Sequence, residues 1–347
     1  MKHVTSLLAL LPLALLLGCG PQDRGSEPVA ASDEPVAAVQ DPLPSWNDGQ
    51  VKQQIVEFVA RTTDTASPDF VPEAGRIATF DNDGTLWTES PLYPQILFAL
   101  DRVRSMAADH PEWQTEQPFK AILENDRATL GTMGHHELGL LLAATHAGIT
   151  ADEFSAIARE WLDTARHPRF NMPFDVTIYQ PMVEVLSYLR ANGFRTFIVS
   201  GGGIEFIRTF SQEAYGIPPD QVVGSSIVTE FHKQGDRTYL VRLPELDFND
   251  DKAGKPVAIN LHIGQRPTAA FGNSDGDLQM LQYAAGGDGA RLMVIVRHDD
   301  EEREYAYDRE SSIGRLDKAL DEAAERGWTV VSMRDDWRTV FAGENEN

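Results

Sequence analysis

The chain has 347 residues of which 42% are hydrophobic, enough for a full globular core with a smaller companion, and this excludes a single-module peptide binder. Its 30 Lys and Arg stand against 53 Asp and Glu. The resulting formal net charge of −23 opposes extended contact with a phosphate backbone, so nucleic acid is not an expected partner.

The first residues read as an export signal. Lys2 and His3 supply a weakly positive start, and residues 7–17 form an apolar run too short to remain as a bilayer-spanning helix. Leu16-Leu17-Gly18-Cys19 closes the run and resembles the bacterial lipoprotein lipobox, which implies cleavage after residue 18 and acylation of the Cys19 thiol. Gly20, rather than an aspartate, follows, and in that family this implies the periplasmic side of the outer membrane more than the inner. Cys19 is the only cysteine, so an exported chain of this kind has no internal disulfide to form, and the thiol is expected to serve as a membrane attachment point. Residues 19–47 are rich in Pro, Ala, Ser, Asp and Glu and poor in large apolar side chains, and are expected to be a flexible tether.

Val51, Ile55, Phe58 and Val59 recur at helical spacing, and Arg76-Ile77-Ala78-Thr79-Phe80 is a short apolar run ending at Asp81, so a helix and then a buried strand are predicted. From residue 91 to about 178 the pattern is helical throughout, with Ile96, Leu97 and Leu100, then Leu138 to Leu142, then Phe154, Ile157, Ala158, Trp161 and Leu162. A helix over 183–189 ends at Asn192-Gly193. A strand over 194–199 runs into Ser200. Strand 268–271, helix 275–285, strand 292–296, helix 313–326 and strand 329–331 follow. Strands alternating with helices predict an α/β fold with a doubly wound parallel sheet, formed by residues 48–90 and 179–347 and interrupted by a helical cap over 91–178.

In such sheets ligands bind beyond the carboxyl ends of the strands. Three predicted strand ends carry polar, glycine-containing sequences: Asp81-Asn82-Asp83-Gly84-Thr85, Ser200-Gly201-Gly202-Gly203 and Gly272-Asn273-Ser274-Asp275-Gly276-Asp277. Together they resemble the haloacid dehalogenase (HAD) superfamily, in its phosphoserine phosphatase-like branch. The first matches the DxDGT signature, the second the Ser or Thr after the second strand, and the third the Gly-Asp-x-x-x-Asp motif. Lys255, in Gly254-Lys255-Pro256-Val257, is the choice for the motif lysine, with Lys252 close by as the alternative.

The resemblance implies a Mg²⁺-dependent phosphatase acting on a small phosphorylated molecule. Asp81 would attack phosphorus, Asp83 would serve as acid and then base, and Lys255 would bridge Asp81 and the phosphoryl group. Ser200 with the amides of Gly201 and Gly202 would hold phosphate oxygens. Asp81, Asp83, Asn273 and Asp277 would face the cation, with Asn273 departing from the family's aspartate and leaving one charge fewer. Arg127, His135, His136, Arg166, His167 and Arg169 are cap candidates for substrate contact.

Two other readings compete. Gly272-Asn273-Ser274-Asp275-Gly276 fits the G-x-S-x-G of a serine hydrolase, with His298 downstream as a base, but that reading leaves the first two motifs without a purpose. A non-catalytic HAD-fold binding lipoprotein is the other, since a fold does not by itself imply activity.

Overall fold

The computed structural model describes residues 41–342. Cys19, the apolar run before it and the tether up to residue 40 lie outside the described residues, as do the side chains of Arg127, His135 and His136. Among the described residues no helix is long and apolar enough to cross a membrane.

Eight strands make one sheet: β1 (Ile77–Phe80), β2 (Arg195–Gly203), β3 (Val222–Gln234), β4 (Arg237–Phe248), β5 (Ala269–Gly272), β6 (Leu292–Asp299), β7 (Ala306–Tyr307) and β8 (Thr329–Ser332). Their order is β4-β3-β2-β1-β5-β6-β7, with β8 also beside β6. The inner pairings are parallel, and only β4 and β7 run antiparallel to their neighbours. β1 and β5 are buried at all four residues, which is why they read as continuous apolar runs without alternation. Successive residues face opposite layers: Ile198, Phe271 and Val294 join one apolar cluster, with Phe58 and Val185 from the helices Gln50–Thr63 and Gln180–Ala191. Val199, Ala270 and Ile295 join the other, with Leu281 and Ala319 from Leu278–Ala285 and Lys318–Arg326.

The expected doubly wound α/β class, with a helical segment between β1 and β2, is the fold observed. The chain leaves β1 for β2 on one side and later returns to β5 on the other, so β1 lies at the switch in strand order and the three polar motifs emerge side by side. Phe80 and Phe271 stack with ring centroids 4.2 Å apart, locking the last residues of β1 and β5 in register just before Asp81 and Gly272. The helical segment between β1 and β2, called the cap below, contains the helices Pro94–Met106, Phe119–Glu124, Arg127–Leu130, His135–His146 and Ala151–Thr164, and its Val103, Phe119, Ile122 and Leu141 form a small apolar cluster with Trp113 of the turn Pro111–Gln114.

Several expectations need correction. The tether, placed up to residue 47, stops earlier. Leu43 and Trp46 are fully buried, Trp46 donates its indole N–H to the Pro181 carbonyl at 3.0 Å, and Lys52 pairs with Asp41 at 2.6 Å. The helix expected from residue 275 starts at Leu278, because the Asp277 carboxylate accepts the amides of Asn273 and Ser274 and shapes those residues as a turn. The helix expected from 313 starts at Lys318, where Asp275 Oδ1 accepts the amides of Asp317 and Ala319.

The largest difference is the β3–β4 hairpin, where no strand is expected from the sequence. Its turn is Gly235-Asp236, with Gly235 at φ +63°, between the paired Gln234 and Arg237. Away from the sheet it leans on the cap: the Arg242 N–H donates to the Ile149 carbonyl at 2.9 Å and the Gly148 N–H to the Arg242 carbonyl at 2.8 Å. Cap and hairpin thereby close one end of the cavity above the strand ends.

Candidate active site

Asp81, Asp83, Ser200, Gly201, Gly202, Lys255 and Asp277 line one cavity of about 360 Å³. Residues more than 170 positions apart in sequence meet because adjacent parallel strands deliver them to the same edge of the sheet. Lys255, on the helix Gly254–Ala258, is 2% exposed and directs its ammonium at Asp81 Oδ1 (2.7 Å), Asp277 Oδ1 (2.6 Å) and the Val199 carbonyl (2.8 Å). Lys252, the alternative, has a side chain 66% exposed and pairs only with Asp251. Burial alone would lower the Lys255 pKa, but the charges of Asp277 and Asp81 outweigh it and hold the ammonium protonated.

Burial, and next the charge of Asp277, push Asp81 well above the usual carboxylate range, with Lys255 opposing both. Burial raises Asp83 to about 6, against the Trp87 indole N–H that donates to its Oδ1 at 2.7 Å. Asp83 Oδ2 faces the Ser200–Gly202 turn: a Cβ placed on Gly202 would stand 3.5 Å from it. A carboxyl partly protonated near neutrality, aimed across the cavity from a small-residue turn, suits proton transfer to and from a bound group.

The Ser200 turn is less open than the sequence suggests. Ser200 Oγ accepts the Gly202 amide at 3.0 Å, and the Gly203 amide donates to Gln95 Oε1 at 2.7 Å, so two of the amides of this turn are already engaged. The helix that follows, Ile204–Arg208, has only five residues, so its dipole is small.

The four residues expected around a cation separate. Asp81 Oδ2 takes no hydrogen bond from a described residue, and Asp83 lines the same cavity. Asp277 is instead spent on structure: Oδ1 holds Lys255, and Oδ2 accepts the Asn273 and Ser274 amides and the Ser274 hydroxyl. Asn273 is 1% exposed, with its Oδ1 accepting from Thr85 Oγ1 at 3.1 Å and its Nδ2 donating to Glu89 Oε1 at 2.6 Å. Among the described residues no group of three or more His, Cys, Asp or Glu is arranged to hold a metal ion.

Glu89 is the residue that sequence reasoning missed. It is 2% exposed, lines the cavity, and burial raises its pKa to about 7. The signal was its place eight residues after Asp81, in a segment that must return toward the sheet before the cap begins. Behind it lies a buried network. His298 donates to the Gly84 carbonyl at 2.8 Å and to Glu304 Oε2 at 3.2 Å, while Thr88 Oγ1 and Tyr179 OH donate to Glu304 Oε1. Glu304 raises the His298 pKa against the effect of burial, so both ring nitrogens donate and an imidazolium–carboxylate pair backs the Asp83-Gly84 loop.

His298 is therefore committed away from Ser274, whose hydroxyl donates to Asp277, and the pair a serine hydrolase needs is not assembled. The remaining cap candidates also point elsewhere: Arg166 donates to carbonyls of its own turn, His167 to the Ser90 carbonyl, and Arg169 to the carbonyls of Glu301 and Glu302. The cap and hairpin contribute instead Tyr93, Gln95, Leu138, Leu142, His146 and Arg242. Arg242 is 4% exposed, pairs with Glu205, donates Nε to the His146 carbonyl at 2.7 Å and lies over the Phe154 ring at 3.8 Å.

A family model described as haloacid dehalogenase-like hydrolase matches residues 78–282, from β1 to the helix after β5. The chain belongs to this family of hydrolases, as the order of its motifs implies. No curated protein matches it. Solved structures similar to it include a functionally unknown protein from Anaerococcus prevotii DSM 20548, at 15% identity and TM-score 0.49 over 83% of this chain and 94% of that one. A protein of unknown function from Bordetella pertussis Tohama I follows at 16% identity and TM-score 0.45, over 74% of this chain and 97% of that one. A probable phosphoserine phosphatase from Vibrio cholerae has 16% identity and TM-score 0.38, over 85% of this chain and 71% of that one.

Proposed function

We propose that this hydrolase is a phosphatase that cleaves small phosphate monoesters through an aspartyl-phosphate intermediate, with a divalent cation, Mg²⁺, as cofactor. The observation that carries the reading is the meeting of Asp81, Asp83 and the buried Lys255 beside the Ser200 turn in one cavity. Asp81 attacks phosphorus, the bond from phosphorus to the ester oxygen breaks, and the electron pair leaves with that oxygen, which takes a proton from Asp83. The Asp83 carboxylate then removes a proton from water as it attacks the acyl phosphate, and the phosphorus bond to Asp81 breaks. Alcohol and inorganic phosphate are released, and both aspartates are restored. Lys255 holds Asp81 in place and carries positive charge to the phosphoryl oxygens.

Asp81, whose Oδ2 takes no hydrogen bond from a described residue, and Asp83 bring carboxylates to the cavity, and hard oxygens of this kind suit a divalent cation. Asp81 and Asp83 are the residues that would hold it. When bound, it screens the like charges of the carboxylate and the phosphate. The cavity's other walls, Ile96, Leu138, Leu142, Phe154 and Leu246, suit an organic leaving group of modest size rather than a folded phosphoprotein.

A screen of phosphate monoesters is the test. Phosphate release is expected in Mg²⁺, and its loss in EDTA with recovery on adding Mg²⁺ back. Ser274→Ala should stay within about threefold of wild type, because it removes one hydrogen bond to Asp277 and one from the Gly276 amide and nothing that reacts. Indifference to EDTA together with an inactive Ser274→Ala protein would replace this reading by serine hydrolysis.

We also propose that the chain acts on the periplasmic side of a bacterial membrane, held by lipid on Cys19, on the strength of Leu16-Leu17-Gly18-Cys19 and the absence of any other cysteine. Cys19→Ser is expected to move the protein out of the membrane fraction or leave its signal uncleaved. Unchanged fractionation and unchanged gel mobility would refute lipidation.

A further inference from the structure

We infer that the esters cleaved at this site carry an apolar leaving group without negative charge, and that the Glu205–Arg242 pair sets this preference by neutralising the second cation of the cavity. The inference rests on the phosphatase reading proposed above.

Three observations carry it. First, Lys255 and Arg242, the lysine and the arginine among the described cavity-lining residues, are both matched by carboxylates that line the same cavity. Lys255 is held by Asp81 and Asp277. Arg242, on the hairpin, pairs with Glu205 of the helix Ile204–Arg208, donates Nε to the His146 carbonyl at 2.7 Å, and lies over the Phe154 ring at 3.8 Å from its centroid. Burial lowers the Arg242 pKa to about 10, so the guanidinium stays charged at neutral pH and meets a carboxylate rather than a neutral acid. A carboxylate or a second phosphate on the substrate would have to share Arg242 with Glu205 and would be repelled by it, and a like charge placed in this way rejects a ligand as effectively as a missing contact.

Second, the imidazole between them is neutral. His146 is 2% exposed, and burial, followed by the charges of Arg242 and Arg102, lowers its pKa to about 3. Its hydrogen bonds agree. Thr145 Oγ1 donates to the Leu141 carbonyl at 2.7 Å and therefore accepts from His146 Nδ1 at 2.7 Å, which leaves Nε2 as the acceptor facing the Gln95 amide nitrogen at 3.4 Å. His146 therefore brings no positive charge to an anionic substrate.

Third, the walls around this pair are apolar and come from three parts of the chain. Ile96, Leu138, Leu142 and Phe154 belong to the cap, Phe206 to the helix after β2 and Leu246 to the hairpin. An apolar group leaves water favourably here, whereas a carboxylate would lose its hydration without gaining a countercharge. The class this selects is alkyl and aryl phosphates, rather than phosphorylated amino acids, hydroxy acids or bisphosphates.

The experiment measures kcat/KM for phosphate release by the full chain in detergent, with Mg²⁺, on two matched pairs of esters: phenyl phosphate against 4-carboxyphenyl phosphate, and hexyl phosphate against the same ester bearing a terminal carboxylate. Wild type is expected to favour the uncharged member of each pair by at least about 10-fold. Glu205→Gln frees the guanidinium and should narrow that ratio by at least about 10-fold, chiefly through a lower KM for the carboxylated esters. If Glu205→Gln does not fold, Leu142→Lys takes its place: it brings an unpaired ammonium to the same walls and should narrow the ratio in the same direction. Wild type cleaving the carboxylated members equally well or better overturns the inference, as does a ratio that stays unchanged in the folded variant. Absence of phosphate release from every ester would instead remove the phosphatase reading on which the inference stands, and the two failures are thereby told apart.

Discussion

Asp81→Asn should lower phosphate release by about 10³-fold or more while leaving the fold in place, because it removes the attacking oxygen at nearly constant volume. The local bonds support the second half of that expectation. The amide oxygen can still accept from Lys255, and Lys255 keeps Asp277 and the Val199 carbonyl. The substitution also removes one of the two carboxylates whose mutual repulsion raises the Asp81 pKa, which offsets part of the lost attraction to the ammonium. Stability is therefore expected to change by no more than about 2 kcal/mol, a difference set by gains and losses at one buried cluster. Phosphate release under single-turnover conditions and a thermal melt check the two halves separately. Release above a tenth of the wild-type rate would sink the nucleophile assignment.

Lys255→Met should be damaging in both respects. The ammonium lies between Asp81 and Asp277 and caps the Val199 carbonyl, all within 2.8 Å, at a side chain 2% exposed. Its removal leaves two buried carboxylates facing each other without a cation and takes one donor from the Val199 carbonyl. Breaking a buried ion pair from one side costs about 3–5 kcal/mol, a large part of the 5–15 kcal/mol that typically separates folded from unfolded chains. The melting temperature is expected to fall on the order of 5–10 °C, and phosphate release to fall at least about 100-fold because Asp81 loses its orienting partner. Lys255→Arg should not rescue activity, since a planar guanidinium does not fit a site built around one compact charge. Lys252→Met is the control: that side chain is 66% exposed and reaches only Asp251, so melting temperature and activity should both stay near wild type. A reversed pattern, with Lys252 sensitive and Lys255 tolerant, would remove Lys255 from the chemistry.

Both predictions concern residues named from sequence alone, and the reason they were legible is local. Asp81, Ser200 and Asn273 each stand where an apolar run ends in glycine and polar residues, and strands alternating with helices leave little choice but a parallel sheet with all three ends on one edge. Once the sheet is granted, β1 between β2 and β5 brings the motifs together without further assumption. The assignment of individual oxygens was not legible in the same way. Asp277 lies four residues from Asn273 and carries a full charge, yet it caps its own turn and anchors Lys255, because the turn's amides and the ammonium reach it first. The part of the cavity wall formed by the β3–β4 hairpin was missed as a whole. Residues 222–248 carry β-branched and aromatic side chains on both sides of Gly235-Asp236, a hairpin signal, but beyond Val222 and Val223 these side chains are partly buried or exposed and are interleaved with charged residues, which blurs the apolar pattern of a strand.

By itself the sequence determined the class of fold, the family, the order of the motifs along the chain and the charge balance, since these follow from periodicity and residue type within short windows. Only the tertiary structure decided which carboxylates remain available in the cavity. It seated Glu89 against Asn273 from 184 positions away, committed His298 to Glu304 rather than to Ser274, and chose Lys255 over Lys252 by burying one and leaving the other in solvent. A side chain's chemistry is set by burial and by the partners that reach it first, and both depend on contacts across the chain that no local pattern encodes.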